Sequence, residues 1–288
     1  MPIEVESPEE MGYGNIKYNL AESSVRDRKI SDINANLNNL VLNYGDHRGM
    51  PDLRSLICEN SHQIDSRHVL VTQAAAMALF VVHTSLLKAE DHLIVIRPNY
   101  ATNIETPRAI GCEISYLDLT FETGYMIDIE VLKSLVKSNT KLISITTPHN
   151  PTGTVIPDNT IDEIIKIADE NNCLLLIDET YRELNFQTKL SPYFAEKSNR
   201  LISVSSLSKA YGFPGIRLGW IINKDAGLMN LFLAAKEQII ICNSVVDEYL
   251  ALQILKNKHI YLKASHATLN SNFFIVKNWI ENHLPYSR

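Results

Sequence analysis

Seven short apolar runs recur between His68 and Ile222, each four to six residues long, with helix-like segments between most of them. They are His68–Thr72, Leu93–Ile96, Cys112–Leu117, Lys141–Thr146, Cys173–Ile177, Leu201–Val204 and Leu218–Ile222. Runs of this length, two of them closed by Pro98 and Pro148, read as strands. Cys173–Ile177 is apolar throughout, the pattern of a strand covered on both sides. Among the intervening segments, 159–171 sets Ile161, Ile164, Ile165, Ile167 and Ala168 on one helical face. Ile129, Val131, Leu132, Leu135 and Val136 repeat at helical spacing in 128–136. Residues 74–87 are rich in helix formers, a helix is predicted to start at Met50-Pro51-Asp52, and 226–256 and 273–282 also read as helical. The alternation predicts an α/β fold, a mostly parallel seven-stranded sheet with helices on both faces.

At 288 residues the chain can form one large domain or two smaller ones. A net charge of −6, without a basic cluster interleaved with aromatics, argues against nucleic-acid binding. The first ten residues are acidic and lack an apolar core, so no secretory signal is expected. The longest apolar run, Ala74 to Val82, is too short to span a bilayer. Cys58, Cys112, Cys173 and Cys242 form no CxxC pair and are expected to be reduced, mostly buried residues of a cytoplasmic protein. The nine histidines show no ligand spacing, and no metal site is expected.

In such sheets ligands sit beyond the carboxyl ends of the strands. That rule points to Thr72-Gln73-Ala74, Pro98-Asn99-Tyr100, Asn150 and Asp178. Asp178 ends the driest strand, where it can hold a protonated ring nitrogen or cap the next segment. Asn150, in HNPTG, can donate to a ligand oxygen or simply shape a turn. Lys209, after Ser206-Leu207-Ser208, can form a Schiff base or be a solvated surface group. Arg217, eight residues on, suits a phosphate.

Taken in order, these stretches resemble the class I/II aminotransferases of fold type I, aspartate-aminotransferase-like enzymes that use pyridoxal 5′-phosphate. The matching segments are YGDHRGMPDLR (44–54), VTQAAAMAL (71–79), RPNY (97–100), PHNPTG (148–153), IDETYREL (177–184) and SSLSKAYGFPGIRLGW (205–220). The resemblance implies that Lys209 binds the cofactor covalently and then moves a proton as general acid and base. It implies that Asp178 pairs with the pyridinium nitrogen, that Asn150 and Tyr181 bond the ring's phenolic oxygen, and that Tyr100 stacks on the ring. Ser206, Ser208, Arg217 and the backbone N–H groups of Ala75 and Ala76 are implied to hold the phosphate. Tyr44 matches a tyrosine that reaches the neighbouring subunit's phosphate, which implies a homodimer.

The chain departs from the family pattern in two places. Ala74 stands where glycine is usual, which is workable if the backbone there is helical but makes a close approach by phosphate less assured. Family members also run roughly 70 to 130 residues further, and most of their small C-terminal domain has no counterpart here. The implied division is 1–40 as an N-terminal arm, 41–255 as the large cofactor-binding domain and 256–288 as the helical start of the small domain. The arginine that usually binds the substrate carboxylate matches no residue, Arg288 included. The leading functional expectation is amino transfer from an α-amino acid to a keto acid. Another reaction on the same scaffold (elimination, decarboxylation, racemisation or cyclisation) and a catalytically impaired relative are the alternatives.

Overall fold

The computed structural model describes residues 7–185 and 191–283; Arg288 and its neighbours from 284 onward lie outside that range. Seven strands form one sheet: β1 (Val69–Thr72), β2 (His92–Arg97), β3 (Glu113–Asp118), β4 (Thr140–Thr146), β5 (Leu174–Asp178), β6 (Leu201–Ser206) and β7 (Gly219–Ile222). Their spatial order is β1-β7-β6-β5-β4-β2-β3. The pairings among β3, β2, β4, β5 and β6 are parallel, and β7 runs antiparallel to both β6 and β1. Every expected strand is present, with ends shifted by a residue or two.

Alternation along each strand divides the core into two layers. Val69, Val71, Ile143, Ile145, Leu175 and Ile177 pack into one cluster, while Leu70, Leu142, Leu176 and Ile202 pack into the other. This is the period of two expected of strands covered on both faces. The helices are α1 (Pro8–Met11), α2 (Pro51–Ile57), α3 (Ala74–Leu86), α4 (Thr102–Ile110), α5 (Ile129–Leu135), α6 (Asp158–Glu170), α7 (Ala226–Ile239), α8 (Val245–Lys256) and α9 (Lys258–His283). Ile161, Ile164, Ile167 and Ala168 of α6 and Leu250, Ala251, Ile254 and Leu255 of α8 join the first layer. Ala78, Leu79, Val81 and Val82 of α3 and Met229 and Phe232 of α7 join the second.

Three elements differ from the sequence-based expectation. Helix α4 was not anticipated, because it is short, mostly polar and carries Pro107 in its interior, a residue that ordinarily ends helices. The predicted helix over 226–256 is two helices. Ile240 takes an extended conformation (φ −149°, ψ 117°), and the Ser244 side chain starts α8 afresh by accepting from the Asp247 N–H. The helix expected at 273–282 is the far end of the 26-residue α9. Only Tyr261 and Ser265 of α9 are buried, and its second half exposes Phe273, Phe274, Ile275, Val276 and Trp279.

Candidate active site

The carboxyl edge of the sheet gathers most of the residues singled out above. Registry places Thr72, Gly219 and Ser206 side by side across β1, β7 and β6. On the neighbouring strands Thr146, Asp178 and Val204 line up across β4, β5 and β6. Adjacent strands lie about 4.8 Å apart, so Asp178 and Ser206 are separated by one strand spacing and two residues of rise.

Asp178 is only 5% exposed. Burial raises its carboxyl above the ordinary range, opposed by bonds from the Thr180 hydroxyl, the Thr180 N–H and the Asn103 side chain. Thr180 donates both bonds to Oδ1, at 2.6 Å from its hydroxyl and 3.0 Å from its N–H. Asn103, on α4, is fully buried and donates to Asn99 Oδ1 at 3.1 Å, and Asn99 also accepts from the Thr146 hydroxyl at 3.0 Å. The unanticipated helix thus supplies one of the carboxylate's partners. A buried carboxylate held by donors is suited to a cationic partner arriving from the open side of the sheet edge.

Lys209 and Tyr181 meet on the N-terminal arm. The Tyr181 hydroxyl donates to Ser23 Oγ at 2.9 Å, and Lys209 Nζ lies 3.4 Å from both Ser23 Oγ and Glu22 Oε1. Burial, chiefly, pushes the Tyr181 phenol up to about 12, with the Ser23 bond acting against it. Asp178, Glu22 and Tyr100 bear on the same phenol, which places all three around it. The arm is tied to the lysine's own loop. Ser24 donates toward the carbonyls of Ser208 and Lys209, and Arg28 donates its N–H to Gly212 O at 2.9 Å and its Nε to Tyr211 O at 2.9 Å. Glu22 and Ser23 are site residues that sequence reading missed, because the arm has no periodic pattern from which its path can be read.

The other end of the site gathers groups of a kind that can hold an anion. Helix α3 starts directly after β1, and Gln73 before it makes no side-chain capping bond, which leaves the first-turn N–H groups of Ala75 and Ala76 aimed past the strand end. Ala74 adopts φ +63°. The backbone there is left-handed and not helical, so the conformation is the one glycine favours and the alanine bears strain. The condition under which alanine would be workable there, a helical backbone, is therefore not met. Ser206 and Ser208 are buried, and the Ser208 N–H lies 3.3 Å from Ser206 Oγ. Arg217 is exposed, itself left-handed at φ +51°, and donates Nη1 to Pro214 O at 2.9 Å.

Asn150 and Tyr100 lie on the loops after β4 and β2, which His149 joins by donating Nε2–H to Pro98 O at 2.8 Å. Neither side chain makes a hydrogen bond among the described residues, and Tyr100 is 40% exposed at the site mouth. Tyr44 stands apart from this group at 79% exposure, flanked by exposed Val41 and Leu42. The sheet edge therefore brings together an uncapped helix N-terminus, a buried carboxylate and a primary amine. Those are the groups needed to hold a phosphorylated aldehyde that carries a basic ring nitrogen.

Comparison with known proteins identifies the family. Residues 11–276 match the family model for aminotransferase class I and II. A probable aspartate aminotransferase of Methanocaldococcus jannaschii is 27% identical over 74% of this chain and 59% of its own length. An arginine–pyruvate transaminase of Pseudomonas aeruginosa is 29% identical over 64% of this chain and 48% of its own. The chain thus spans about half to three fifths of these relatives. A PLP-dependent aminotransferase from Streptococcus suis superposes with a TM-score of 0.88 at 28% identity, covering 95% of this chain and 75% of that one.

Proposed function

The chain belongs to the aminotransferase class I and II family, and from that premise we propose that it transfers the amino group of an α-amino acid to a keto acid with pyridoxal 5′-phosphate. The observation that carries the reading is the convergence of Lys209, Tyr181 and Asp178 on one sheet edge beside an uncapped helix N-terminus. When bound, the cofactor supplies an aldehyde that condenses with a primary amine and a ring that draws electron density from the substrate's α-carbon.

The protein's own groups supply the rest. Lys209 is the one lysine among these side chains, and once free of its covalent role it can take a proton from the α-carbon and return it elsewhere. Asp178 keeps a positive charge on the ring nitrogen, which strengthens the ring's pull on electrons. The Tyr181 phenol, raised by burial, remains a hydrogen-bond donor at neutral pH, and with Asn150 it would bond the ring's phenolic oxygen. Ser206, Ser208, Arg217 and the N–H groups of Ala75 and Ala76 would hold the phosphate, while Tyr100 would stack on the ring and exclude water.

The exposed run of Val41, Leu42 and Tyr44 supports a homodimer in which Tyr44 approaches the second copy's phosphate end. The same reading takes residues 1–40 as an arm, 41–255 as the large domain and 256–288 as the start of a smaller one, in a cytoplasmic protein. Reduction with borohydride in excess cofactor, followed by peptide mass spectrometry, tests the assignment. A pyridoxyl adduct on Lys209 supports it, and an adduct elsewhere, or none, overturns it. A panel of amino acids without keto acid then identifies the reaction. Stoichiometric conversion to the pyridoxamine form indicates amino transfer, and ammonia released with turnover indicates elimination.

A further inference from the structure

We infer that Glu22, on the arm, binds whichever amine is free at the site: the ε-ammonium of Lys209 before the cofactor is attached, and the α-ammonium of an arriving amino acid afterwards. The inference rests on the amino-transfer reading and adds to it a residue that meets the substrate.

Glu22 Oε1 lies 3.4 Å from Lys209 Nζ, with the two side chains 30% and 27% exposed. Two sets of hydrogen bonds and one close backbone contact tie the arm to the lysine's loop. Ser24 is held by the carbonyls of Ser208 and Lys209, Arg28 by the carbonyls of Gly212, Tyr211 and Tyr261, and the Arg26 carbonyl lies against Gly212 so closely that a Cβ there would be 2.7 Å away. The carboxylate and the amine therefore ride on one rigid unit.

The place of the exchange dictates the second partner. In the proposed exchange the amino acid's nitrogen would bond to the cofactor's aldehyde carbon as Lys209 Nζ leaves it as the free amine, so a carboxylate within reach of Nζ would also meet the arriving nitrogen. The surrounding charge favours the same occupant. Asp27 lies near enough for its carboxyl to be raised, first by burial and then by Glu22, with Lys209 opposing. Glu9 adds to that negative field. Once Lys209 is bonded to the cofactor its positive charge no longer offsets Glu22 and Asp27, and an α-ammonium restores the balance. Ser23 Oγ, 3.4 Å from the same Nζ, offers a second acceptor.

Glu22→Gln and Glu22→Asp test this with two readouts of opposite sign. In the cofactor-free protein, the rate of capture at Lys209 is followed by borohydride trapping and peptide mass spectrometry. Glu22→Gln is expected to capture about two- to fivefold faster, because the contact between the carboxylate and Nζ must be given up before the amine can condense, and a partly exposed pair holds it by about that factor. In the loaded protein, KM is expected to rise about fivefold for alanine, aspartate and arginine alike, with kcat changed less. Glu22→Asp should recover part of both effects. An arm that was merely loosened would slow capture as well as raise KM, and that result overturns the inference. A KM loss confined to arginine overturns it too, since the carboxylate would then be reading side chains. If the unaltered protein forms no Lys209 adduct at all, the cofactor reading itself fails; if it does and neither variant differs from it, only the role of Glu22 fails.

Discussion

A Cβ built on Gly219 would lie 2.7 Å from the backbone nitrogen of Ala75, so the first residue of β7 and the first turn of α3 are in direct backbone contact. The Ala74 carbonyl carbon (2.5 Å) and the Ser205 oxygen (2.8 Å) close the same space. None of these atoms can rotate away. Gly219→Ala is therefore expected to push the α3 N-terminus off the sheet edge, destabilising the fold by about 1–3 kcal/mol and weakening cofactor phosphate binding at least tenfold. Denaturant titration and cofactor titration check the two effects. Gly14→Ala, where a Cβ meets nothing within 4 Å, is the control and should change neither.

Ala74 offers the opposite experiment. Its left-handed backbone costs an alanine about 1–2 kcal/mol, whereas glycine at that position costs about 0.5–1 kcal/mol of unfolded-state entropy. Ala74→Gly should raise unfolding free energy by about 0.5–1 kcal/mol in a denaturant titration. A loss of stability would mean that the alanine's methyl, buried at 3% exposure, contributes more by packing than its backbone loses.

Asp178 separates stability from activity. An asparagine there can still accept the Thr180 bonds while removing a buried charge, so Asp178→Asn should leave the melting temperature unchanged or raised. Amino transfer should nevertheless fall by about 100-fold or more, because an uncharged amide cannot hold a positive ring nitrogen. Parallel thermal melts and steady-state rates check the pair of outcomes.

Glu179 should leave a mark on the pH dependence of folding. Its carboxyl is raised from 4.5 to about 7, first by burial, with Arg182, Ser203 and the Phe194 N–H acting against that rise. Between about pH 4.5 and 7 the folded protein therefore binds more protons at this group than the unfolded chain does. Stability from this group is fully present below 4.5 and is lost as pH rises through that window, by at most about 1.4 kcal/mol per pH unit. Glu179→Gln should flatten that slope in denaturant titrations repeated across the window.

Composition and periodicity were enough for the sheet. Apolar runs of strand length, dry on both sides at Cys173–Ile177, leave no soluble arrangement except a sheet covered on both faces, and the positions of Asp178 and Ser206 at strand ends follow from the same pattern. The order of motifs around Asn150, Asp178 and Lys209 was equally legible, because each residue is tied to a local turn or strand end. What the chain does far from such local signals was not. Helix α4 forms despite Pro107 because its buried Asn103, Thr106 and Pro107 are covered by neighbouring elements, and packing outweighs propensity. Ala74 turns left-handed where the chain passes in close backbone contact with Gly219, a conformation that no single-residue preference of alanine reveals. Glu22 and Ser23 reach Lys209 across more than 180 residues of sequence, through bonds to backbone carbonyls that any side chain could have surrounded. Local periodicity thus determined the sheet, the ordered motifs carried the resemblance that nominated the cofactor's half of the site, and long-range packing of an aperiodic arm decided which carboxylate lies beside Lys209.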